Sequence, residues 1–231
     1  MREKEAGNLK QSFINRIVGQ ILSGALKPGD RLLPERELAV CCGISRGSVN
    51  QGLLDLERMG FIRIVPRKGT FVADYMSGTS PETLAAIMQY DSALIDPGLF
   101  RDLMAMRTLI ERESVRLACQ RAGRAEIDEL NTLTNKIYDA DSEAVKSALF
   151  DFHYYLTVCS GNKAYSLLFR SFENMIRSLI ELHYSDRGEQ SKMLPLYNEL
   201  SRSISRRDTA KADELITKIL TIANDYLNKH L

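Results

Sequence analysis

The sequence predicts a mainly α protein in two parts: an N-terminal winged helix-turn-helix domain and a C-terminal all-α bundle of six to seven helices. Three observations carry this. Residues 1–75 read as three short helices followed by two β-rich runs around a Pro/Gly turn. From Pro81 onward apolar residues recur at helical spacing, with no strand-like alternation. Between the two, Asp74-Tyr75-Met76-Ser77-Gly78-Thr79-Ser80-Pro81 is small, polar and turn-forming, which predicts a linker over 74–81. The expected domains are therefore 1–75 and 82–231.

Leu9 to Ser23 has apolar residues at 9, 13, 14, 17, 18, 21 and 22, one face of an amphipathic helix. Gly24 ends it, and Lys27-Pro28-Gly29-Asp30 is a turn. A second helix opens at Pro34, with Glu35 and Glu37 suited to the positive end of its dipole, and closes at Cys42-Gly43. Ile44 is expected to pack inward, and Ser45 to cap a third helix whose buried face is Val49, Leu53, Leu54 and Leu56. Gly60 stops it. Phe61–Val65, a Pro66-Arg67-Lys68-Gly69 turn and Thr70–Ala73 then form a hairpin. In the body, helices are expected over 81–91, 97–122, 124–140, 142–159, 164–184, 189–206 and 209–229.

Charge bounds function only when the chain is divided. Over 231 residues, 31 Lys and Arg face 30 Asp and Glu, a net of +1 that suggests no nucleic-acid partner. The first 75 residues alone hold 12 basic and 8 acidic side chains, and the remainder is net acidic. A basic head on an acidic body permits nucleic-acid binding by the head. No apolar run approaches the ~18 residues of a membrane span, and the start resembles no signal peptide, so a cytoplasmic protein without a membrane partner is expected. Cys41, Cys42, Cys119 and Cys159 include no CxxC pair, so reduced thiols are expected rather than a disulfide framework or zinc cage.

Helix, short turn with Gly, then helix is the helix-turn-helix arrangement, and a following hairpin makes it winged. The third helix opens with Ser45, Arg46, Gly47 and Ser48, short residues that let its end enter a major groove. There Arg46 can make a bidentate contact to guanine. Arg36 is placed to reach groove or backbone from the second helix. The wing tip Arg67-Lys68-Gly69, with Thr70 beside it, can enter the adjacent minor groove. A helix-turn-helix pattern alone arises by chance, and two basic turn residues alone are usually a solvated turn. Their combination points to double-stranded DNA.

The run GDRLLPERELAVCCGISRGSVNQGLLDLERMGFIRIVPRKGTFV resembles the DNA-binding domain of GntR-family bacterial transcription regulators over residues 29–72. Arg36, Glu37, Leu38, Gly43, Ser45, Arg46, Val49, Leu53, Gly60, Gly69, Thr70, Phe71 and Val72 fit the family wording. Two residues depart from it. Asn50 stands where a DNA-contacting Arg is usual, implying weaker phosphate binding or a preference for adenine. Gly52 stands at a helix-former position, a loss of about 0.5–1 kcal/mol of local helix stability. The body resembles the FadR subfamily through Met106-Arg107-Thr108-Leu109-Ile110-Glu111, Asp151-Phe152-His153 and Cys159-Ser160-Gly161-Asn162. The resemblance implies a cytoplasmic bacterial homodimer on a palindromic operator, a repressor whose DNA affinity is set by a small-molecule effector.

Most such relatives hold a divalent metal with one Asp and three His. Here His153 matches the first His, but Leu149 stands at the Asp, and Asn198 and Ile219 at the other His positions. No metal and no cofactor are expected, and His153 also reads as a satisfied core histidine. Relatives without the metal resemble acyl-CoA sensors. The pocket candidates are Arg107, His153, Tyr154, Asn174, Arg177, Tyr184, Tyr197 and Asn198. Arg107 and Arg177 can bind a carboxylate or phosphate; equally, Arg107 can pair with Glu111 one turn on. A small organic acid in place of acyl-CoA, and an effector-independent DNA-binding dimer, remain open. An enzyme is not expected: there is no nucleophile–His–acid set, P-loop or Rossmann glycine pattern.

Overall fold

A computed structural model of the chain describes residues 2–78, 80–88, 96–139, 144–183 and 187–230. Its order is α1 (Arg2–Leu22), α2 (Glu35–Cys42), α3 (Arg46–Arg58), β1 (Ile62–Val65), β2 (Gly69–Val72), α4 (Pro81–Met88), α5 (Pro97–Arg121), α6 (Arg124–Asp139), α7 (Ala144–Cys159), α8 (Lys163–Ser171), α9 (Glu173–His183), α10 (Arg187–Ser205) and α11 (Thr209–His230). Two compact units result, one carrying the elements through α4 and the other carrying α5 to α11.

In the first unit α1 packs on α3 through Phe13, Ile14, Ile17, Val18 and Ile21, all buried. Leu9, expected on the same face, is 47% exposed. α2 ends at Gly43, whose φ of 63° is the left-handed conformation that closes a helix end. Ser45 caps α3 by accepting from the Ser48 N–H at 3.1 Å. Val49, Leu53 and Leu56 are buried as expected, whereas Leu54 is 46% exposed. An (i, i+3, i+4) face leaves position 54 on the far side of the helix. β1 and β2 pair antiparallel with Ile62 opposite Val72, and Arg31 adds an isolated bridge to Phe71 that the sequence did not signal.

Gly52 is where packing overrules propensity. A Cβ there would lie 2.6 Å from Phe13 Cδ1 and 2.9 Å from Cε1, inside a ring already seated against α3. The missing methyl is what lets α1 approach. Gly52→Ala therefore sets a helix-propensity gain of about 0.5–1 kcal/mol against overpacking of about 1–3 kcal/mol. Thermal unfolding is expected to show a lower midpoint; a raised one would mean the ring moves aside freely.

α4 belongs with the first unit, although the sequence placed it in the body after a linker at 74–81. The Thr83 hydroxyl donates to the Met59 carbonyl at 2.7 Å and ties α4 to the end of α3.

Among the described residues, the second unit is a bundle of seven helices around α5. It buries Phe100, Leu103 and Val115 of α5, Phe150, Phe152 and Leu156 of α7, and Leu215, Ile216 and Ile219 of α11. The single helix expected over 164–184 is two helices, α8 and α9. Phe172 breaks it: its N–H turns to the Phe169 carbonyl at 3.1 Å, while the Ser171 hydroxyl takes the Leu168 carbonyl at 2.6 Å. The turn between α10 and α11 is anchored by Arg207, at a φ of 63°. Its guanidinium donates to the carbonyls of Ala118, Cys119 and Ala122, capping the C-terminal end of α5.

Candidate functional site

Two places concentrate chemistry. The first is the exposed end of α3 with the wing. Ser45 and Ser48 are joined to each other at 3.0 Å and fix the helix start. Arg46 and Gly47 follow, exposed, and the Arg46 side chain makes no hydrogen bond or ion pair among the described residues. Arg36 on α2 and Arg67 and Lys68 at the wing tip are likewise exposed and unpaired. The Asn50 amide donates to Glu35 Oε1 at 3.4 Å, linking α3 to the start of α2.

The wing tip is conformationally specified. Arg67 has a φ of 63°, uncommon for a residue with a side chain. Gly69 has a φ of 119°, and a Cβ there would lie 2.8 Å from Arg31 Nε. The Arg31 guanidinium thus lies against Gly69 of the wing, a cation sequence reasoning missed. The signal was available only in the pairing of residue 31 with 71, which no local pattern shows.

The second place is a buried polar cluster in the bundle. Arg107 Nε donates to Glu111 Oε1 at 2.6 Å across one turn of α5. Glu111 Oε2 meets His153 Nδ1 of α7 at 2.5 Å, and His153 Nε2 meets the Tyr197 hydroxyl of α10 at 2.9 Å. All four are buried, Glu111 completely. Burial pushes the Glu111 carboxyl up, but His153 and Arg107 beside it outweigh burial and hold it below its ordinary value. A cavity of about 20 Å³ adjoins the cluster, walled by Leu179, Ile180, His183, Met193, Ile219 and Leu220 along with Arg107, His153 and Tyr197. That is room for about one water molecule.

Of the expected pocket residues, the structure brings together Arg107, His153 and Tyr197. Tyr154 is half-buried, stacks on Phe150 at 6.4 Å and lies under Arg170. Arg177 pairs with Glu173 at 2.9 Å and covers Phe150. Asn174 is exposed, and Asn198 borders a different groove. Tyr184 lies outside the described residues. Tyr197, and not its neighbour Asn198, faces His153. Glu111, the hub of the cluster, had a signal in its four-residue spacing from Arg107. Among the described residues no group of three His, Cys, Asp or Glu is placed to hold a metal, and no helix is long and apolar enough to cross a membrane.

Two stretches of the chain match known protein families. Residues 9–72 match the bacterial regulatory proteins of the gntR family, and residues 102–221 match the FCD domain. An uncharacterized HTH-type transcriptional regulator of Mycobacterium tuberculosis is 31% identical over 160 residues, 68% of this chain and 64% of that one. The HTH-type transcriptional regulator LutR of Bacillus subtilis is 25% identical, covering 90% of this chain and 96% of its own. The fatty acid metabolism regulator protein of Yersinia pestis is also 25% identical, over 90% and 85%. Among solved structures, Lar, which controls expression of the agr system of Listeria monocytogenes, shares the fold with a TM-score of 0.63 at 15% identity, covering 95% of this chain and 96% of Lar.

Proposed function

This chain belongs to the GntR family of bacterial regulatory proteins and carries an FCD domain, and on that premise we propose that it is a homodimeric, cytoplasmic repressor whose hold on a palindromic operator is set by a small effector bound in the bundle. The observation that carries the DNA half is the exposed start of α3, with Arg46 unpaired and Ser45 already engaged in capping. Arg36, Arg31, Arg67, Lys68 and Thr70 flank it as backbone or minor-groove contacts, with Gly47, Ser48 and Gly69 permitting close approach. Two recognition helices in a dimer would read half-sites about one DNA turn or less apart. Dimerisation is supported by apolar surface on two touching helices: Leu109 of α5 is 68% exposed and Leu167 of α8 is 73% exposed.

The effector reading rests on the Arg107–Glu111–His153–Tyr197 cluster and its cavity. A cavity of about 20 Å³ favours a small organic acid that opens it slightly over a long acyl chain. Glu111 neutralises Arg107, so an incoming carboxylate competes with an internal one, and a coupling of about 1–3 kcal/mol would give a several-fold to hundred-fold switch. Catalysis has no support: the buried Cys159 thiol is pushed up to about 12 by burial, and His153 is committed on both ring nitrogens.

Asn50 supplies the test. Its amide can read adenine, or its tether to Glu35 can withhold it from DNA. Binding-site selection with the wild type and Asn50→Arg is expected to give different preferred bases at one position of each half-site, with tighter phosphate-driven binding by the variant. Identical sites and identical affinities would remove Asn50 from the interface.

A further inference from the structure

We propose that the groove bordered by α6, α10 and the α10–α11 turn is a second ligand site, taking a small polyanion of the di- or polyphosphate type. The groove encloses about 550 Å³ and is lined by Tyr138, Asn198, Arg202, Ser203, Arg206 and Lys211. That lies within the range of small-molecule sites, whereas the buried cavity beside His153 does not.

Its charge is spare. Among the described side chains of the bundle, every other arginine except Arg101 has a carboxylate or a carbonyl partner. Arg202 and Arg206 have neither, and both are exposed. Arg202 lies on α10 one turn after Asn198, and Arg206 follows just past the helix end, its N–H donating to the Arg202 carbonyl at 3.0 Å. Glu199 and Asp208 also border the groove. Asp208, however, is engaged in capping α11, accepting from the Lys211 N–H at 3.0 Å, and Glu199 makes no ion pair with either arginine. Ser203, only 6% exposed, forms part of the floor. Lys211, at the edge of the groove, already pairs with Glu214 at 2.9 Å, so the spare charge is that of the two planar guanidiniums, which match clustered phosphate oxygens in geometry and charge.

The platform is rigid before any ligand arrives. The Ser201 hydroxyl donates to Asn131 Oδ1 at 2.7 Å, pinning α10 to α6. Arg207 turns inward onto the end of α5, which fixes the turn that presents Arg206. The same helix serves two sites: Tyr197 faces the buried cluster and Asn198, its neighbour, faces the groove. An occupant of the groove sits on the back of the helix that closes the inner cavity. The site stands whether or not the head binds DNA.

Calorimetric titration of the full chain with pyrophosphate at low ionic strength is the test. The expected result is one equivalent per chain, about tenfold weaker or worse in Arg202→Gln/Arg206→Gln. Arg202→Lys/Arg206→Lys, which keeps charge but not the fork, is expected to fall between. Arg46→Gln/Lys68→Gln, which removes unpaired cations from the head, is expected to keep the binding. The proposal is overturned if the wild type takes no pyrophosphate, if the double Gln variant binds as the wild type does, or if binding is lost with the head variant instead. Binding of an Asp/Glu-rich peptide in place of pyrophosphate, lost in the same double Gln variant, would make the groove a protein-docking surface and also overturn it.

Discussion

Glu111→Gln is expected to lower the unfolding free energy by about 3–5 kcal/mol, because it strips the carboxylate from a buried guanidinium and leaves that charge uncompensated. Arg107 and His153 approach the two oxygens of Glu111 at 2.6 and 2.5 Å, with all three side chains out of water. An amide of the same shape retains a hydrogen-bond acceptor but not the charge. Adding Arg107→Met should recover much of the loss, since a buried ion pair replaced as a unit by apolar groups is often neutral. The pH dependence has a defined sign. The native state holds the Glu111 carboxyl below its ordinary value of 4.5, so between the two values the unfolded chain binds more protons. The stabilisation is fully present above about pH 4.5 and is lost as pH falls through the native value. Denaturant unfolding of the wild type and Glu111→Gln at pH 7 and at steps below pH 5 measures this. The gap between them should be constant at the higher pH values and shrink on acidification. A gap that is negligible at pH 7, or the same at every pH, would mean that Glu111 is not ionised in the folded protein.

Arg46→Ala should weaken binding to the selected operator by about 1–3 kcal/mol and reduce discrimination against a scrambled duplex. Arg67→Ala and Lys68→Ala should act differently. Each is expected to lower affinity for both duplexes alike and to reduce the slope of log affinity on log salt by about one. The contrast follows from place: Arg46 opens the helix aimed at base edges, while the wing-tip cations sit on a turn suited to phosphates. Fluorescence anisotropy across a salt series, on operator and scrambled duplexes, separates the two behaviours. If all three variants lost affinity equally on both duplexes, Arg46 would be a phosphate contact.

The head was legible because its signals are local. Gly43 and Ser45 mark one helix end and the next helix start, and both do so through backbone geometry within three residues. The bundle was legible as helices but not as a site. Arg107 and Glu111 announce themselves by spacing, yet what makes them a centre is His153, 42 residues from Glu111, and Tyr197, 44 residues beyond His153. No periodicity encodes that meeting. Tyr154 and Arg177 carry suitable chemistry but spend it on the outer face around Phe150, because helix rotation decides which residues turn inward. The break at Phe172 escaped notice for a similar reason: no Gly or Pro marks it, and a buried ring with a serine beside it redirects the chain. Gly52 was misread as a weakness because propensity is a property of one helix, and the Phe13 ring belongs to another.

Selection of duplexes from a random library by the wild-type chain, at about 0.1 M salt where nonspecific phosphate binding is weakened, tests the central claim most directly. Enrichment of an inverted repeat whose half-sites lie within about one helical turn is expected, with enrichment abolished by Arg46→Ala. Recovery of an unenriched library, with affinity that tracks salt but not sequence, would contradict it.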